Sequence, residues 1–220
     1  MNQFENTSRA NQVYYLLNKN YPNAKIILKY QNIFQLLAAI ILSAQTTDIT
    51  VNKVTKKLFK KYKTAKDYAS ADLSELEKDI SMVGLYRNKA KNIKATAKII
   101  VEKYKDGIPK AIDELIKLPG IGRKTANVFL GNAYKISEGI AADTHVIRLS
   151  QRLDFTNHKD AVKIEQDLMK LFDNTKWFKI TYLLIEHGRK ICTAKNPTCD
   201  KCFLNKLCPC AFKFPRFQIT

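Results

Sequence analysis

Four cysteines near the C-terminal end place the strongest constraint on how this chain can fold. They have the pattern C-x6-C-x2-C-x5-C and lie at Cys192, Cys199, Cys202 and Cys208. Thiols this closely spaced, in a chain without the features of a secreted protein, favour a metal centre over a disulfide framework. Four thiolates are suitable ligands for a zinc ion and for an iron–sulfur cluster, so the residues alone leave both open.

The rest of the sequence has the periodicity of helices. Apolar residues recur at helical spacing, for example at Val13, Tyr14 and Leu17, and long alternating β-branched runs are missing. Turn residues interrupt this pattern, as at 106–109 and 118–122. We therefore predict an all-α chain of nine or ten short helices.

The charge of the chain indicates which class of partner it binds. Lys and Arg number 38 against 20 Asp and Glu, which gives a net charge of +18. Such an excess favours a protein that binds the phosphate backbone of a nucleic acid, although a merely lysine-rich surface would give the same count. Segment 53–63, KVTKKLFKKYK, is predicted to form a basic amphipathic helix that either contacts DNA or is a solvated face.

No segment of the sequence has the features of a membrane anchor or a secretory signal. The longest apolar run, at 36–42, is far shorter than the ~20 residues that span a bilayer, and it predicts a buried helix. The first residues contain no apolar h-region. We therefore expect no membrane partner and an intracellular protein, cytoplasmic or nucleoid-associated.

Segment 118–122, LPGIG, connects two predicted helices. Gly120 and Gly122 lie where the chain must reverse, and glycine both tolerates positive φ and lets a phosphate approach the backbone. The second helix is predicted to start near Arg123, so its unpaired N–H groups and positive dipole end form an anion site. We predict that Gly120, Gly122 and Arg123 bind a DNA phosphate without reading sequence, although many such turns are only structural.

Four features occur along the chain in a fixed order: LLAAIILSAQTTD, LPGIGRKTANVFLG, AADTHVIRLSQRL and the cysteine pattern. In this order they resemble the endonuclease III family of helix-hairpin-helix DNA glycosylases, over nearly the whole chain. The resemblance implies a bifunctional DNA glycosylase and AP lyase of base excision repair. Such an enzyme removes oxidised pyrimidines from duplex DNA and cleaves the strand 3′ to the abasic site by β-elimination.

The resemblance also implies the organisation of the fold. It predicts two α-helical lobes: a six-helix domain at 26–137 that contains the helix-hairpin-helix motif, and a discontinuous domain. The discontinuous domain consists of 1–25 and 138–220 and carries the iron–sulfur loop. We expect the protein to be a monomer whose partner is double-stranded DNA containing a damaged base or an abasic site.

Lys124 and Asp143 are the candidate catalytic residues. An amine that attacks the deoxyribose also permits strand cleavage, because a Schiff base acidifies the neighbouring carbon. The resemblance implies that Lys124 is this amine and that Asp143 stabilises positive charge on the sugar, the two facing each other across a cleft. Without the resemblance, Lys124 is better explained as a phosphate contact and Asp143 as a helix N-cap.

The lysine also distinguishes this chain from other members of the superfamily. Adenine and thymine-mismatch glycosylases of this superfamily have a similar scaffold but another residue at the position that corresponds to Lys124. They typically hydrolyse the glycosidic bond without an efficient lyase step. Lys124 therefore favours the bifunctional class. The alternatives are a monofunctional mismatch or uracil/thymine glycosylase, which would use Lys124 only for phosphate binding, and a non-catalytic DNA-binding module.

A base inside a duplex must be rotated out of the stack and the space that it leaves must be filled. Gln45 and Leu85 match the positions at which the family fills this space and wedges the duplex. Leu85 follows Gly84 and is expected in an exposed loop, although most leucines pack in cores. Asp48 is expected to cap the following helix.

The cysteine spacing resembles the [4Fe–4S] signature of the same family. The resemblance implies one [4Fe–4S] cluster held by Cys192, Cys199, Cys202 and Cys208, with zinc as the alternative. Cys210 departs from the pattern and is expected to be an unused thiol. Two histidines, His145 and His187, are expected to form structural hydrogen bonds. Ile116 is a further departure, because an acidic residue is expected at this position.

Overall fold

Helices make up the regular secondary structure of residues 3–217, the part of the chain that the computed structural model describes. The α-helices are α1 (Gln3–Asn20), α2 (Ile33–Ser43), α3 (Asp48–Lys61), α4 (Ala65–Ser70), α5 (Leu73–Asp79), α6 (Tyr86–Tyr104), α7 (Ile112–Leu115), α8 (Arg123–Tyr134), α9 (Thr144–Arg152), α10 (Ala161–Leu171) and α11 (Asn174–Lys190). Short 3-10 helices occur at Cys199–Lys201 and Pro215–Phe217.

The predicted all-α class is confirmed, since residues 3–217 contain no β-strand. The predicted number of helices was too low, because these residues form eleven α-helices. Helices α4 and α7 have only six and four residues, which is too short to leave a periodic apolar pattern in the sequence.

The chain folds into two compact units. The first, which we call the hairpin unit, is Ile27–Ile136 and contains α2 to α8. The second, the cysteine unit, combines the described parts of Met1–Ile26 and Ser137–Thr220 and contains α1 and α9 to α11.

Helix α2 is the centre of the hairpin unit. Its residues from Phe34 to Leu42 are all buried, and the helix packs against α3, α6 and α8. The Asn32 side chain caps α2 by accepting a hydrogen bond from the Gln35 amide at 2.9 Å. Burial of each large apolar side chain contributes about 1.5–3 kcal/mol, so α2 holds in place the helices that present the candidate site residues. The predicted buried helix at 36–42 is confirmed.

The start of α3 corrects one prediction from the sequence. The N-cap of α3 is Thr47, whose hydroxyl accepts a hydrogen bond from the Thr50 amide at 3.3 Å. Asp48 is the first residue of the helix, so the expectation that it caps α3 was wrong. Its carboxylate instead lies in the first turn, where the helix dipole favours negative charge.

The cysteine unit is built around a core shared by its four helices. Helix α11 packs against α9 and α1, and α10 packs against the same two helices. The buried apolar side chains of this core include Val13, Leu17, Val146, Leu149, Ile164, Leu168, Leu183 and Leu184. Helix α9 contributes two of these, Val146 and Leu149, and also carries Arg148 and Arg152, which contact the segment that follows α11.

Candidate active site

The hairpin between α7 and α8 is closed by one backbone hydrogen bond and one side-chain hydrogen bond. The Ile121 amide donates to the Leu118 carbonyl at 3.1 Å, and the Thr96 hydroxyl of α6 donates to the Pro119 carbonyl at 2.9 Å. Gly120 has φ 78°, and a Cβ atom added there would lie 2.9 Å from Nδ2 of Asn92. Glycine is therefore required at 120 both by the backbone conformation and by the neighbouring side chain.

Gly122 has a different reason to be glycine. It is the N-cap of α8 with φ −91° and ψ 174°, an extended conformation open to any residue, and nothing lies within 4 Å of an added Cβ. Positive φ therefore explains the glycine at 120 but not the glycine at 122. Because Gly122 has no side chain to accept from the first amides of α8, these amides are available to an external anion.

Lys124 is the second residue of α8 and its side chain is exposed. Within the described residues its ammonium forms no ion pair and no hydrogen bond with another side chain. The helix begins at Arg123, which confirms the predicted helix start. The turn therefore presents Lys124 to solvent at the same helix end as the uncapped amides.

Asp143 is the N-cap of α9, as predicted. Its Oδ1 accepts hydrogen bonds from the amides of His145 at 2.9 Å and Val146 at 2.8 Å. The side chain is half-buried, and both cap bonds use the same oxygen. The carboxylate is therefore fixed in orientation while Oδ2 stays available for other chemistry.

Gln45 and Leu85 lie on two loops of the hairpin unit that contact each other. Both have left-handed backbones, with φ 52° and 57°, and both side chains are exposed. The Gly84 amide donates to the Thr46 hydroxyl at 3.2 Å, and a Cβ atom at Gly84 would lie 3.3 Å from the Gln45 carbonyl oxygen. Left-handed backbone costs a non-glycine residue about 1–2 kcal/mol, and such conformations concentrate at functional sites. Leu85 is confirmed as an exposed loop residue.

The four cysteines of the C-x6-C-x2-C-x5-C pattern line one cavity in the cysteine unit. Apolar side chains surround them there, and the cavity wall includes Cys192, Cys199, Cys202, Cys208, Leu149, Leu153, Ile191 and Leu204. All five cysteines are free thiols, and Cys210 is not among the residues that line the cavity. No group of three or more His, Cys, Asp or Glu side chains within residues 3–217 is arranged to hold a metal ion.

The cavity environment favours protonated thiols. Burial, with a smaller contribution from the neighbouring cysteines, raises the pKa of Cys202 and of Cys208 to about 11. A positively charged centre has the opposite effect, because it stabilises thiolates. The donor set, four sulfur atoms around one apolar space, fits a thiolate-ligated group.

Two arginines of α9 hold the segment that contains the first cysteine. Arg152 donates from Nη1 to Cys192 Sγ at 3.2 Å and to the Thr193 carbonyl at 2.7 Å. Arg148 donates from Nη2 to the carbonyls of Cys192 at 2.9 Å and Gly188 at 3.0 Å. Sequence reasoning missed both residues. The available signal was their spacing, since they lie four residues apart on one helix. Arginine is also rare in this chain, with only seven among its 38 Lys and Arg residues.

His187 and His145 are hydrogen-bonded structural residues, as predicted. His187 is buried, with Nδ1 3.1 Å from the Tyr21 hydroxyl and Nε2 3.4 Å from Cys202 Sγ. Burial lowers the pKa of His187 to about 4, so its ring is neutral at physiological pH. His145 Nδ1 accepts from Arg148 Nη2 at 3.1 Å, and burial likewise lowers its pKa.

The comparison with known proteins decides the family. Residues 38–174 match the family model of the HhH-GPD superfamily base excision DNA repair proteins. The endonuclease III of Synechocystis sp. is 47% identical over 203 residues, 92% of this chain and 93% of the relative. The endonuclease III of Bacillus subtilis is 47% identical over 189 residues, 86% of each chain. This chain belongs to the endonuclease III family.

Solved structures agree with this membership. A trapped endonuclease III–DNA covalent intermediate is 43% identical, with a TM-score of 0.90 over 94% of this chain and 97% of that one. A thermostable thymine-DNA glycosylase shares the fold at 24% identity and a TM-score of 0.81. The predicted family and fold are confirmed, and as an endonuclease III family member the chain is a base excision repair DNA glycosylase with AP lyase activity.

Three further expectations concern membrane association, Ile116, and the monomeric state and location of this endonuclease III family member. No helix in the described part of the chain combines the length and apolar character needed to cross a bilayer. Ile116, where an acidic residue was expected, is 45% exposed at the end of α7, so it has no core-packing role. The monomeric state and the intracellular location stay predictions.

Proposed function

We propose that this chain removes oxidised pyrimidines from duplex DNA and cleaves the strand through a Schiff base at Lys124. The observation that carries the proposal is the position of Lys124, exposed in the first turn of α8 after the Gly120 turn, in an endonuclease III family chain. A similar endonuclease III is described as forming a trapped covalent intermediate with DNA. An amine nucleophile on the protein accounts for such an intermediate.

The proposed reaction follows from the chemistry of an amine. The unprotonated Nζ of Lys124 attacks C1′ of the damaged nucleotide, and the bond from C1′ to the base breaks with its electron pair leaving on the base. The sugar ring opens to a protonated imine, which loses a proton from C2′, and the resulting electron pair expels the 3′ phosphate. Water then hydrolyses the imine and releases Lys124 and an unsaturated aldehyde at the 3′ end.

Asp143 is proposed to stabilise the positive charge that develops on the deoxyribose and to relay protons during ring opening. The two cap bonds to Oδ1 support this role because they fix the carboxylate without using Oδ2. An Asp143→Asn variant keeps the capping oxygen and removes the charge. It therefore separates the catalytic role from the capping role.

The hairpin and the two contacting loops are proposed to hold the damaged duplex. The first amides of α8 and the side chain of Arg123 bind a backbone phosphate, with Gly120 and Gly122 permitting its close approach. Gln45 and Leu85 fill the space left by the extruded nucleotide. Their left-handed backbones support this, since the cost of that conformation is explained by an exposed functional loop.

Cys192, Cys199, Cys202 and Cys208 are proposed to hold one [4Fe–4S] cluster. The shared apolar cavity and the four sulfur donors support this assignment, and zinc is the alternative. When bound, the cluster cross-links the segment after α11 through four metal–sulfur bonds. Arg148 and Arg152 hold the same segment from α9, so the role of the cluster in this proposal is structural.

Borohydride trapping tests the lysine directly. The protein is incubated with a thymine-glycol duplex and with an abasic duplex in the presence of borohydride, and covalent protein–DNA adducts are measured. We expect an adduct with both substrates for the natural chain and none for Lys124→Ala. Loss of the nucleophile should lower strand cleavage on the order of 10³-fold or more, which is about 4 kcal/mol in the barrier.

Lys117→Ala is the matched control, because Lys117 is an exposed lysine of the same hairpin and should retain adduct formation. Base release without any adduct from the natural chain would instead support a monofunctional glycosylase. Unchanged DNA in every incubation would support a non-catalytic binding module.

A further inference from the structure

A lysine-lined groove lies along α3 in the hairpin unit, outside the candidate active site. The groove measures about 770 Å³ and its wall includes Lys29, Lys53, Lys56, Lys60, Lys63, Tyr30, Gln31, Asn52, Thr55 and Phe59. All five lysines are exposed, and none of these ten residues is acidic. The groove is therefore a concave surface of one sign of charge.

The lysines on the two sides of α3 differ in their partners. Lys61 forms ion pairs with Glu75 at 2.7 Å and Asp79 at 2.6 Å. Lys53, Lys56 and Lys60, which face the groove, form no ion pair in the described part of the chain. Like charges gathered without counter-charges repel each other, and a bound polyanion removes that repulsion.

Polar side chains hold the walls of the groove in place. Asn52 accepts from the Lys29 amide at 2.9 Å and donates to the Ile27 carbonyl at 3.0 Å, which fixes segment 27–29 against α3. Asn32 donates to the Lys63 carbonyl at 2.9 Å. The lysine positions are therefore preset by the fold and do not depend on a flexible segment.

We propose that this groove binds the phosphate backbone of duplex DNA as a second contact surface, an inference that rests on the proposed function. Lys53, Lys56 and Lys60 lie at i, i+3 and i+7, so they span about 10 Å of one helix face at ~1.5 Å per residue. That length corresponds to about three nucleotide steps along the duplex axis at ~3.4 Å of rise per nucleotide. We assign the contacted phosphates to the same duplex that the hairpin is proposed to hold, and a second duplex is the alternative outcome of the test.

Salt dependence of binding to undamaged DNA tests the groove. The triple variant Lys53→Gln, Lys56→Gln, Lys60→Gln is compared with Lys78→Gln, Lys98→Gln, Lys103→Gln, which removes the same charge from exposed positions on α5 and α6. Each lost phosphate contact should make the slope of log K against log salt less negative by about 0.9, so we expect a change of about 2 to 3 for the groove variant. The control should change the slope by less than about 1.

The length of the duplex distinguishes the two sources of phosphate. If the groove follows the duplex that the hairpin holds, the groove variant changes the slope with an undamaged duplex of about 40 base pairs and not with one of about 12. If it holds a second duplex, the groove variant loses the complexes that contain two short duplexes by mass photometry. Equal slopes for both triple variants would overturn the proposal. Strand cleavage by the natural chain, measured in parallel, tests the proposed function separately.

A second inference concerns Lys89, a lysine of α6 that is only 4% exposed. Its Nζ donates to the Leu42 carbonyl at 2.8 Å, to the Ala44 carbonyl at 2.5 Å and to the Thr46 hydroxyl at 2.9 Å. None of these acceptors is charged, and burial lowers the pKa of Lys89. Buried lysines without an acidic partner are rare, so this arrangement needs a reason.

The acceptors of Lys89 surround Gln45. Leu42 and Ala44 lie at the C-terminal end of α2, where a cation is favoured by the helix dipole, and Thr46 follows Gln45 directly. The same Thr46 hydroxyl accepts from the Gly84 amide, next to Leu85. One ammonium group and one hydroxyl thus connect both loops.

We infer that Lys89 is a positioning residue that holds Gln45 and Leu85 ready to enter the duplex, on the basis of their proposed roles. Lys89→Met is compared with Lys91→Met, an exposed lysine of the same helix, well below the unfolding temperature. In duplex abasic DNA the abasic sugar must be rotated out of the helix and the space beside the opposite base filled, whereas single-stranded abasic DNA needs neither step. We expect Lys89→Met to lower duplex cleavage on the order of 10- to 100-fold and single-strand cleavage by less than about 3-fold, and Lys89→Arg to restore part of the duplex rate.

Equal losses on both substrates would show a merely structural role for Lys89 and overturn the inference. Gln45→Ala and Leu85→Ala, assayed in the same way, separate this from a failure of the proposed function. If neither lowers duplex cleavage, their gap-filling roles are wrong. If both lower it while Lys89→Met does not, only the positioning inference fails.

Discussion

The hairpin at 112–134 and the segment at 191–214 both present reactive side chains from non-helical chain, and they are held in different ways. The hairpin is closed by a backbone hydrogen bond between near neighbours, by the Thr96 hydroxyl of α6 and by one glycine at positive φ. The cysteine segment contains little regular structure. It is held by Arg148 and Arg152 from a helix about forty residues earlier in the chain, through bonds to carbonyl groups and to Cys192.

This difference determines where each region is vulnerable. A local turn specified by glycine depends first on its backbone conformation. A segment with little secondary structure depends on cross-links, and in the proposed function the cluster supplies four of them. Substitutions in the cysteine unit should therefore lower stability by weakening cofactor binding or the arginine contacts. Substitutions in the hairpin should lower stability when they force a residue into an unfavourable φ.

The largest effect is expected at a cluster ligand. Cys202→Ser removes one of four proposed sulfur ligands, and the variant should purify without iron or visible absorption and unfold at lower temperature. Cys210→Ser is the matched control, since Cys210 does not line the cavity, and it should keep both the iron and the unfolding temperature. Iron analysis and thermal unfolding measure this. Iron retained in Cys202→Ser and lost in Cys210→Ser would reverse the ligand assignment.

A smaller effect is expected at the hairpin turn. Gly120→Ala forces an alanine to φ 78° and brings its Cβ to 2.9 Å from Asn92. We expect the unfolding free energy to fall by about 2 kcal/mol, measured by denaturant titration. Gly122→Ser, at an extended N-cap position with open space, should change it by less than about 0.5 kcal/mol. Equal losses at the two glycines would contradict the geometry given for the turn.

The smallest effect is expected at Arg152. Arg152→Met keeps much of the side-chain volume but removes the donors to Cys192, Thr193 and Ala194. We expect a loss of about 1–2 kcal/mol in unfolding free energy and faster loss of iron to a chelator. Lys170→Met, an exposed residue of α10, is the control and should change neither. An Arg152 variant as slow to lose iron as the natural chain would show that the arginine does not hold the segment.

The same contrast explains which features could be predicted from the sequence. The α8 start, the Asp143 cap and the buried α2 depend on neighbouring residues, so local pattern was sufficient for them. The choice of Thr47 over Asp48 as the α3 cap depends on a difference of one residue in backbone conformation, which composition does not encode. Lys89, Arg148 and Arg152 bind partners forty or more residues away, so even the spacing that marks the two arginines does not identify the groups that they contact.

The central claim, that Lys124 is the amine that forms the covalent bond with DNA, is tested most directly by locating the reduced adduct. The borohydride-trapped complex of the natural chain is digested with nuclease and protease, and the peptide that carries the sugar remnant is sequenced by mass spectrometry. We expect the remnant on Nζ of Lys124, in the peptide that follows Arg123. A remnant on another lysine or on the N-terminal amine, with Lys124 unmodified, would contradict it.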